Sequence, residues 1–399
     1  MKEHLDQLTR WIEINTDAII HNLVQIREII APDVKILAVV KADAYGLGAE
    51  EIARIFSQQG VDMLGVTNLE EGAELRNQGI ETPILVFAPI LPQQARVAVE
   101  HRLTPSISSP EILEALAGAI QPWQSPFPIH IKIETGMGRT GLSPEKAGGF
   151  IRKVLENYPQ LYLEGLYTHF ARAGGRDRFT QEQFSRFRSL LAELEDCCIE
   201  IPLRHVCNSA GLIELPEMHL DLVRVGTLLY GQYPPGVSTG LNLEDPWKVK
   251  ARVLHVAEFP PGTSIGYGRD YILKSRARIA VISMGYADGL SVTAISRPKN
   301  LLDLGKSLVK TILAYLGKGP SRLAVVYDDR LLPVVGRVGM QFSMINAGDL
   351  HLEVGDEVEV PLRRLNADSL LPRVYLREGQ PYKVRRWQSS ILDAASLES

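Results

Sequence analysis

Three cysteines in 399 residues, two of them adjacent at Cys197 and Cys198, form neither a disulfide framework nor a zinc-ligand spacing. They read as reduced thiols in a reducing compartment, and Cys207 as packing within a strand. No apolar run is long enough to cross a bilayer, which excludes a helical membrane protein. The opening Met1-Lys2-Glu3-His4-Leu5-Asp6 is charged and lacks the apolar core of a secretion signal, so a cytoplasmic protein without a membrane partner is expected. A net charge of −4 provides no cationic surplus for a nucleic-acid partner. The HExxH and CxxC spacings of metal sites are missing, as is a GxGxxG after a strand, so neither a metal nor a dinucleotide is expected. There is no repeat and no low-complexity tract.

What remains is a globular composition, 45% hydrophobic and 23% charged, in a chain long enough for one large domain and a smaller one. Apolar strand-like runs at 35–40, 63–66, 84–87, 104–107, 129–134, 161–169, 203–207 and 222–225 alternate with helix-period segments. Eight such units predict a (β/α)8 barrel rather than an open sheet. Ser143-Pro144 marks an N-cap followed by proline at the first helical position, and Thr180 to Gln183 fits a capping box. At Gly231-Gln232-Tyr233-Pro234-Pro235-Gly236 turn formers cluster and the helix period is lost, which places a domain boundary near residue 240. The runs at 248–258, 276–283 and 356–360, separated by Gly and Pro, predict a smaller, mainly antiparallel β domain over 241–399. The first residues of the 1–240 domain could pack against it.

Barrel enzymes act at the C-terminal ends of their strands, so polar residues that follow apolar runs are the candidates for chemistry. Lys41 ends the run Ala38-Val39-Val40 and precedes Ala42-Asp43-Ala44-Tyr45-Gly46. A lysine in that place either snorkels to solvent or offers an amine that can form a Schiff base with an aldehyde. His169 and Ser209 follow strands, and each taken alone suits a structural hydrogen bond equally well. Arg224, inside Leu222-Val223-Arg224-Val225, is harder to treat as structural, because a buried guanidinium must be paired or hydrogen-bonded. Ser209 with Gly226-Thr227 offers the hydroxyls and backbone N–H groups of a phosphate anchor. The glycines of Lys132-Ile133-Glu134-Thr135-Gly136-Met137-Gly138-Arg139 permit a loop that brings Arg139 over the strand ends. Tyr267, between Gly266 and Gly268, and Met340, after Gly339, sit in tight loops of the second domain.

These clusters resemble, in order and spacing, the alanine racemase family, from Trp11-Ile12-Glu13-Ile14-Asn15 to about Leu376. The resemblance implies a pyridoxal 5'-phosphate (PLP) enzyme that racemises a small amino acid, alanine first. It implies that Lys41 carries PLP, that Tyr45, Ser209, Gly226 and Thr227 meet the phosphate, and that Arg224 faces the pyridine nitrogen. Arg139 would meet the phenolic oxygen and help hold substrate, Lys132 would be carbamylated, and His205 would pack near the ring. Tyr267 would be the second base, hydrogen-bonded to His169, and Met340 would help hold the substrate carboxylate. Racemisation needs a base on each face of the α-carbon. A phenol, ordinarily with a pKa of about 10, needs positive charge beside it, and His169 and Arg224 are expected to supply it. The implied assembly is a head-to-tail homodimer in which Tyr267 and Met340 enter the partner's barrel.

The family pattern lapses at the substrate entrance. Gly174 stands in the region of an acidic residue, Val292 near an arginine, Gln341 where aspartate is usual, and the tyrosine-bearing segment before Pro372 is shortened. Neither Tyr375 nor Tyr382 replaces that tyrosine. Racemisation of serine, lysine or arginine is therefore the alternative to alanine. A non-racemising PLP enzyme and a PLP-binding protein are the rivals from other classes.

Overall fold

Runs such as Ile36-Leu37-Ala38-Val39 have no polar face to turn toward water, and parallel strands bury such residues on both sides. The computed structural model describes residues 5–173, 177–237, 240–292, 300–315 and 323–386. Its contacts divide the chain into two compact units, one of residues 16–246 and one of residues 1–15 with 247–399.

After β1 (Arg10–Asn15), eight parallel strands follow: β2 (Lys35–Val39), β3 (Met63–Val66), β4 (Ile84–Val86), β5 (Thr104–Ile107), β6 (Phe127–Lys132), β7 (Leu161–Tyr167), β8 (Leu203–His205) and β9 (Leu222–Val225). They pair in sequence from β2 to β8, and β9 returns to the free edge of β2 through Leu37 opposite Arg224. Backbone bonds from Asp221 N–H to Arg204 O (3.1 Å) and from Arg224 N–H to Cys207 O (3.0 Å) bridge the remaining gap, giving the expected (β/α)8 barrel. Inside it Leu37, Val39, Met63, Leu85, Leu203 and Leu222 form an apolar plug, with Tyr45 and Phe87 resting on it. Burial of each such leucine contributes about 1.5–3 kcal/mol.

The other unit is mainly antiparallel, as expected. Its long strand β10 (Trp247–Phe259) pairs with β1 along its first half and with β11 (Ala277–Ile282) along its second. The order β11-β14-β13-β12-β15-β10 then closes on itself, using β12 (Ala324–Tyr327), β13 (Arg330–Val335), β14 (Ser343–Asn346) and β15 (Glu357–Glu359). The pairing of β1 with β16 (Arg373–Arg377) is parallel, and β17 (Gln380–Arg385) completes the sheet.

Two details differ from expectation. The helix Arg178–Asp196 begins two residues before Thr180, because the Asp177 carboxylate accepts the Phe179 N–H (3.3 Å) and serves as its cap. The β unit also carries a helix, Leu301–Tyr315, whose Leu304, Leu308 and Ile312 recur at the helical period.

One glycine is required by the barrel's exit. Gly231 ends the Thr227–Tyr230 turn at φ 71°, and a Cβ there would stand 2.1 Å from the Glu244 carbonyl oxygen. Gly231→Ala is expected to destabilise the protein by about 1–3 kcal/mol in urea unfolding, and an unchanged midpoint would contradict this packing.

Candidate active site

The candidate residues converge on a cavity of about 420 Å³ at the C-terminal ends of the barrel strands, within the range of about 300–1,000 Å³ usual for small-ligand sites. Lys41, Tyr45, Lys132, Arg139, His169, Ser209, Arg224, Gly226 and Thr227 all line it.

Local backbone chemistry explains how they arrive. After β2 the Val40 N–H still donates to Gly65 O (2.8 Å), and then the chain turns left-handed: Ala42, Asp43, Ala44 and Tyr45 all have φ between 52° and 56°. For residues other than glycine this costs roughly 1–2 kcal/mol each. Internal bonds from Ala44 N–H to Val40 O (2.9 Å) and Gly46 N–H to Ala42 O (3.0 Å) offset part of it, and the turn puts Lys41 and Tyr45 into one cavity.

After β6 the loop is clamped at its ends by Leu142 N–H to Lys132 O (2.8 Å) and Glu134 N–H to Leu142 O (2.8 Å). Between them the Glu134 carboxylate accepts the N–H groups of Gly136 (2.6 Å), Met137 and Arg139 (3.0 Å). The loop thus folds around a carboxylate, Arg139 reaches the cavity, and Lys132 Nζ donates to Thr140 Oγ1 (2.7 Å).

Arg224 is 3% exposed and organises the floor. Nη1 donates to His205 Nδ1 (2.8 Å) and His205 O (3.1 Å), and Nη2 to Thr168 O (2.8 Å), Val206 O (3.0 Å) and His169 Nδ1 (3.2 Å). With both terminal nitrogens committed, Nε is the donor left for the cavity. A guanidinium only donates, so His205 carries its proton on Nε2 and gives it to His130 Nδ1 (3.0 Å), and His130 Nε2–H donates to Glu164 Oε2 (3.1 Å). The same rule places the His169 proton on Nε2.

His205 is therefore beneath the cavity rather than on its wall. It is fully buried and stacks on Tyr167 with ring centroids 4.7 Å apart and planes 6° apart. Tyr167 does line the cavity and was missed as a candidate, since it reads as the last residue of an apolar strand. His130, between Ile129 and Ile131, gave no signal in the sequence.

The lining contains four cationic side chains, Lys41, Lys132, Arg139 and Arg224, and no carboxylate. Burial, then Arg139, lowers the Lys41 pKa, with Glu71 opposing. Burial, then Arg139 and Arg224, lowers Lys132 to about 8, with Glu134 opposing. Burial, then Arg224, Arg139 and both lysines, pushes His169 down to about 2. The expectation that His169 adds positive charge is thus corrected: buried among four cations, it is neutral and offers only a hydrogen bond.

At the phosphate-anchor candidates, Gly226 N–H donates to Ser209 Oγ (3.0 Å), which leaves the Ser209 hydroxyl proton for the cavity. A Cβ on Gly226 would stand 2.4 Å from the Tyr45 hydroxyl, so the phenol approaches only because that residue is glycine. Tyr267 (75% exposed) and Met340 (59% exposed) belong to the other unit and are not among the lining residues. Val292 and Gln341 are exposed, and Gly174 is outside the described residues. Tyr375 is fully buried in its sheet, packed near Tyr382, so it cannot serve as an entrance residue. Among the described residues no metal-binding cluster forms, and no helix is long and apolar enough to cross a membrane.

The alanine racemase N-terminal domain matches residues 14–234 and the alanine racemase C-terminal domain residues 247–370. The chain belongs to the alanine racemase family. Alanine racemase 1 of Caldanaerobacter subterraneus is 38% identical over 354 residues, covering 88% of this chain and 84% of that relative. The alanine racemase of Methanococcus maripaludis is 37% identical, covering 88% of each. Among solved structures, the Clostridium difficile alanine racemase superposes with a TM-score of 0.83 at 28% identity, covering 95% of this chain and 99% of that one. The Bacillus anthracis alanine racemase with bound L-Ala-P gives 0.78 at 27% identity, covering 95% and 97%.

The sign of one pH effect follows from His169. Unfolded, it takes up a proton below about pH 6.5, whereas folded it stays neutral down to about 2, so its contribution to stability is lost as pH falls below 6.5. His130 and His205 act in the same direction. Urea unfolding between pH 7.5 and 5.5 should show stability falling, and less steeply in His169→Asn; equal slopes would contradict the neutral, buried imidazole.

Proposed function

We propose that the chain interconverts L- and D-alanine with PLP held on Lys41, using Lys41 and Tyr267 as opposed bases. The observation that carries this is the cavity itself: a half-buried Lys41 amine of lowered pKa at the end of the first barrel strand, a hydroxyl and backbone anchor at Ser209 and Gly226, and a buried arginine, surrounded by positive charge. The residues fit the cofactor. An anionic, phosphorylated occupant would offset positive charge that no lining carboxylate balances. The crowded approach of Tyr45 to Gly226 brings a phenol to the same place as the Ser209 hydroxyl. When bound, PLP supplies a ring that draws electrons from the amino acid's α-carbon and so makes its proton removable.

The chain's residues then handle protons and position. The Lys41 amine, with its pKa lowered by burial, is available in its basic form to take or return a proton on one face. Tyr267 of the partner subunit does so on the other. Neutral His169, with its proton on Nε2, would offer a hydrogen bond to that phenol, while Arg224 keeps the charge. Arg224 is a permanent donor and accepts no proton, so it limits how far the ring withdraws electrons and favours return of the proton over other outcomes. Lys132, near pKa 8, holds a fraction of free amine, the form that adds carbon dioxide, and the resulting anion would pair with Arg139. Arg139 and the partner's Met340 would then hold the substrate carboxylate.

This reading includes a homodimer, in which the partner's Tyr267, an exposed residue of the β unit, would supply the second base to the barrel lining. The three cysteines are free thiols, in keeping with a cytoplasmic setting.

Rates for both enantiomers of alanine, serine, lysine and arginine test the substrate: alanine is expected to be fastest in both directions, and alanine no faster than the others would overturn the assignment. Tyr267→Phe is expected to lower kcat by about 10²–10⁴-fold while leaving cofactor binding in place. Full activity in that variant would remove the second base from the account.

A further inference from the structure

Lys41 lines the cavity and is followed at once by four left-handed residues, so the direction of its side chain depends on how the Lys41-Ala42 peptide is held. A side chain outside the cavity lining holds that peptide. Ala42 N–H donates to Glu71 Oε1 (2.6 Å), and Thr67 N–H donates to Glu71 Oε2 (2.8 Å). One carboxylate thus ties the residue after Lys41 to the residue after β3, and Thr67 itself lines the cavity. Glu71 is held in turn. It lies in the first turn of the helix Leu69–Asn77, where a carboxylate is favoured, and its N–H donates to the capping Asn68 Oδ1 (2.9 Å).

We propose, on the reading of Lys41 as the reactive amine, that Glu71 is the positioning residue that aims this amine by clamping Ala42 to Thr67. Its two oxygens each have a backbone donor, so the amide of a glutamine would turn an N–H2 toward one of them and break the clamp. Its charge also opposes the fall in the Lys41 pKa that burial and Arg139 cause.

The test compares Glu71→Gln and Glu71→Asp with wild type in the cofactor-loaded enzyme and in the apoprotein. Glu71→Gln is expected to keep the fold and the visible absorption band gained with PLP, and to lose about tenfold or more in kcat at nearly constant KM. In its apoprotein the Lys41 pKa, read by pH-dependent competitive acylation and mass spectrometry, should fall further. Glu71→Asp keeps the charge but is one methylene short, so its Lys41 titration should stay near wild type while kcat still drops. Wild-type kcat in both variants, or a loss confined to KM, overturns the proposal. If Glu71→Gln does not fold, Glu71→Asp decides by the same kcat criterion. Lys41→Ala separates the two readings: if it still gains the absorption band, the assignment of Lys41 fails. If the band disappears there and Glu71→Gln behaves as wild type, only the role of Glu71 fails.

Discussion

A guanidinium sealed inside a barrel without a carboxylate partner is the constraint on which the site depends. Arg224 keeps its proton and is almost wholly buried, so the surroundings must supply acceptors for its two terminal nitrogens. They do so with three backbone carbonyls and two imidazoles, and each imidazole is thereby fixed in one tautomer. Burial still pulls its pKa down to about 10. The charge therefore persists and acts on everything near it.

The rest of the cavity follows from that surplus. Burial first, and then the charges of Arg224, Arg139 and the two lysines, keep His169 neutral, and burial followed by Arg139 makes both amines easier to deprotonate than in water. Tyr167, between Arg224 and Lys132, gives its ring face to both cations, with Arg224 Cζ 5.3 Å and Lys132 Nζ 5.8 Å from its centroid. Its hydroxyl donates to Ser106 Oγ (2.7 Å), which passes its own proton to Val86 O (2.6 Å). An anionic occupant would offset this surplus of positive charge.

Much of this was legible in the residues. Short buried strands announce themselves by continuous apolar runs, and the end of each run pointed to Lys41, His169 and Ser209; Arg224 was conspicuous as a charge inside such a run. Arg139 was foreseen from glycines that let its loop turn. What was hidden lies in relations across the barrel. His130 and Tyr167 look like strand residues until the ring closes and places them against His205 and Arg224. Glu71 looks like one more acidic residue in a helix's first turn until the left-handed backbone after Lys41 presents its N–H. The neutrality of His169 was also hidden, because it depends on burial and on four cations brought together from three separate β/α units. The helix Leu301–Tyr315 went unforeseen in a region read by its Gly and Pro punctuation.

Two lysines of lowered pKa share the cavity, and only Lys41 is proposed to carry the cofactor. Reductive trapping with borohydride after loading with PLP, followed by peptide mapping, tests that assignment directly. The label is predicted on the peptide containing Lys41. A label on Lys132, or none on either lysine, would contradict it.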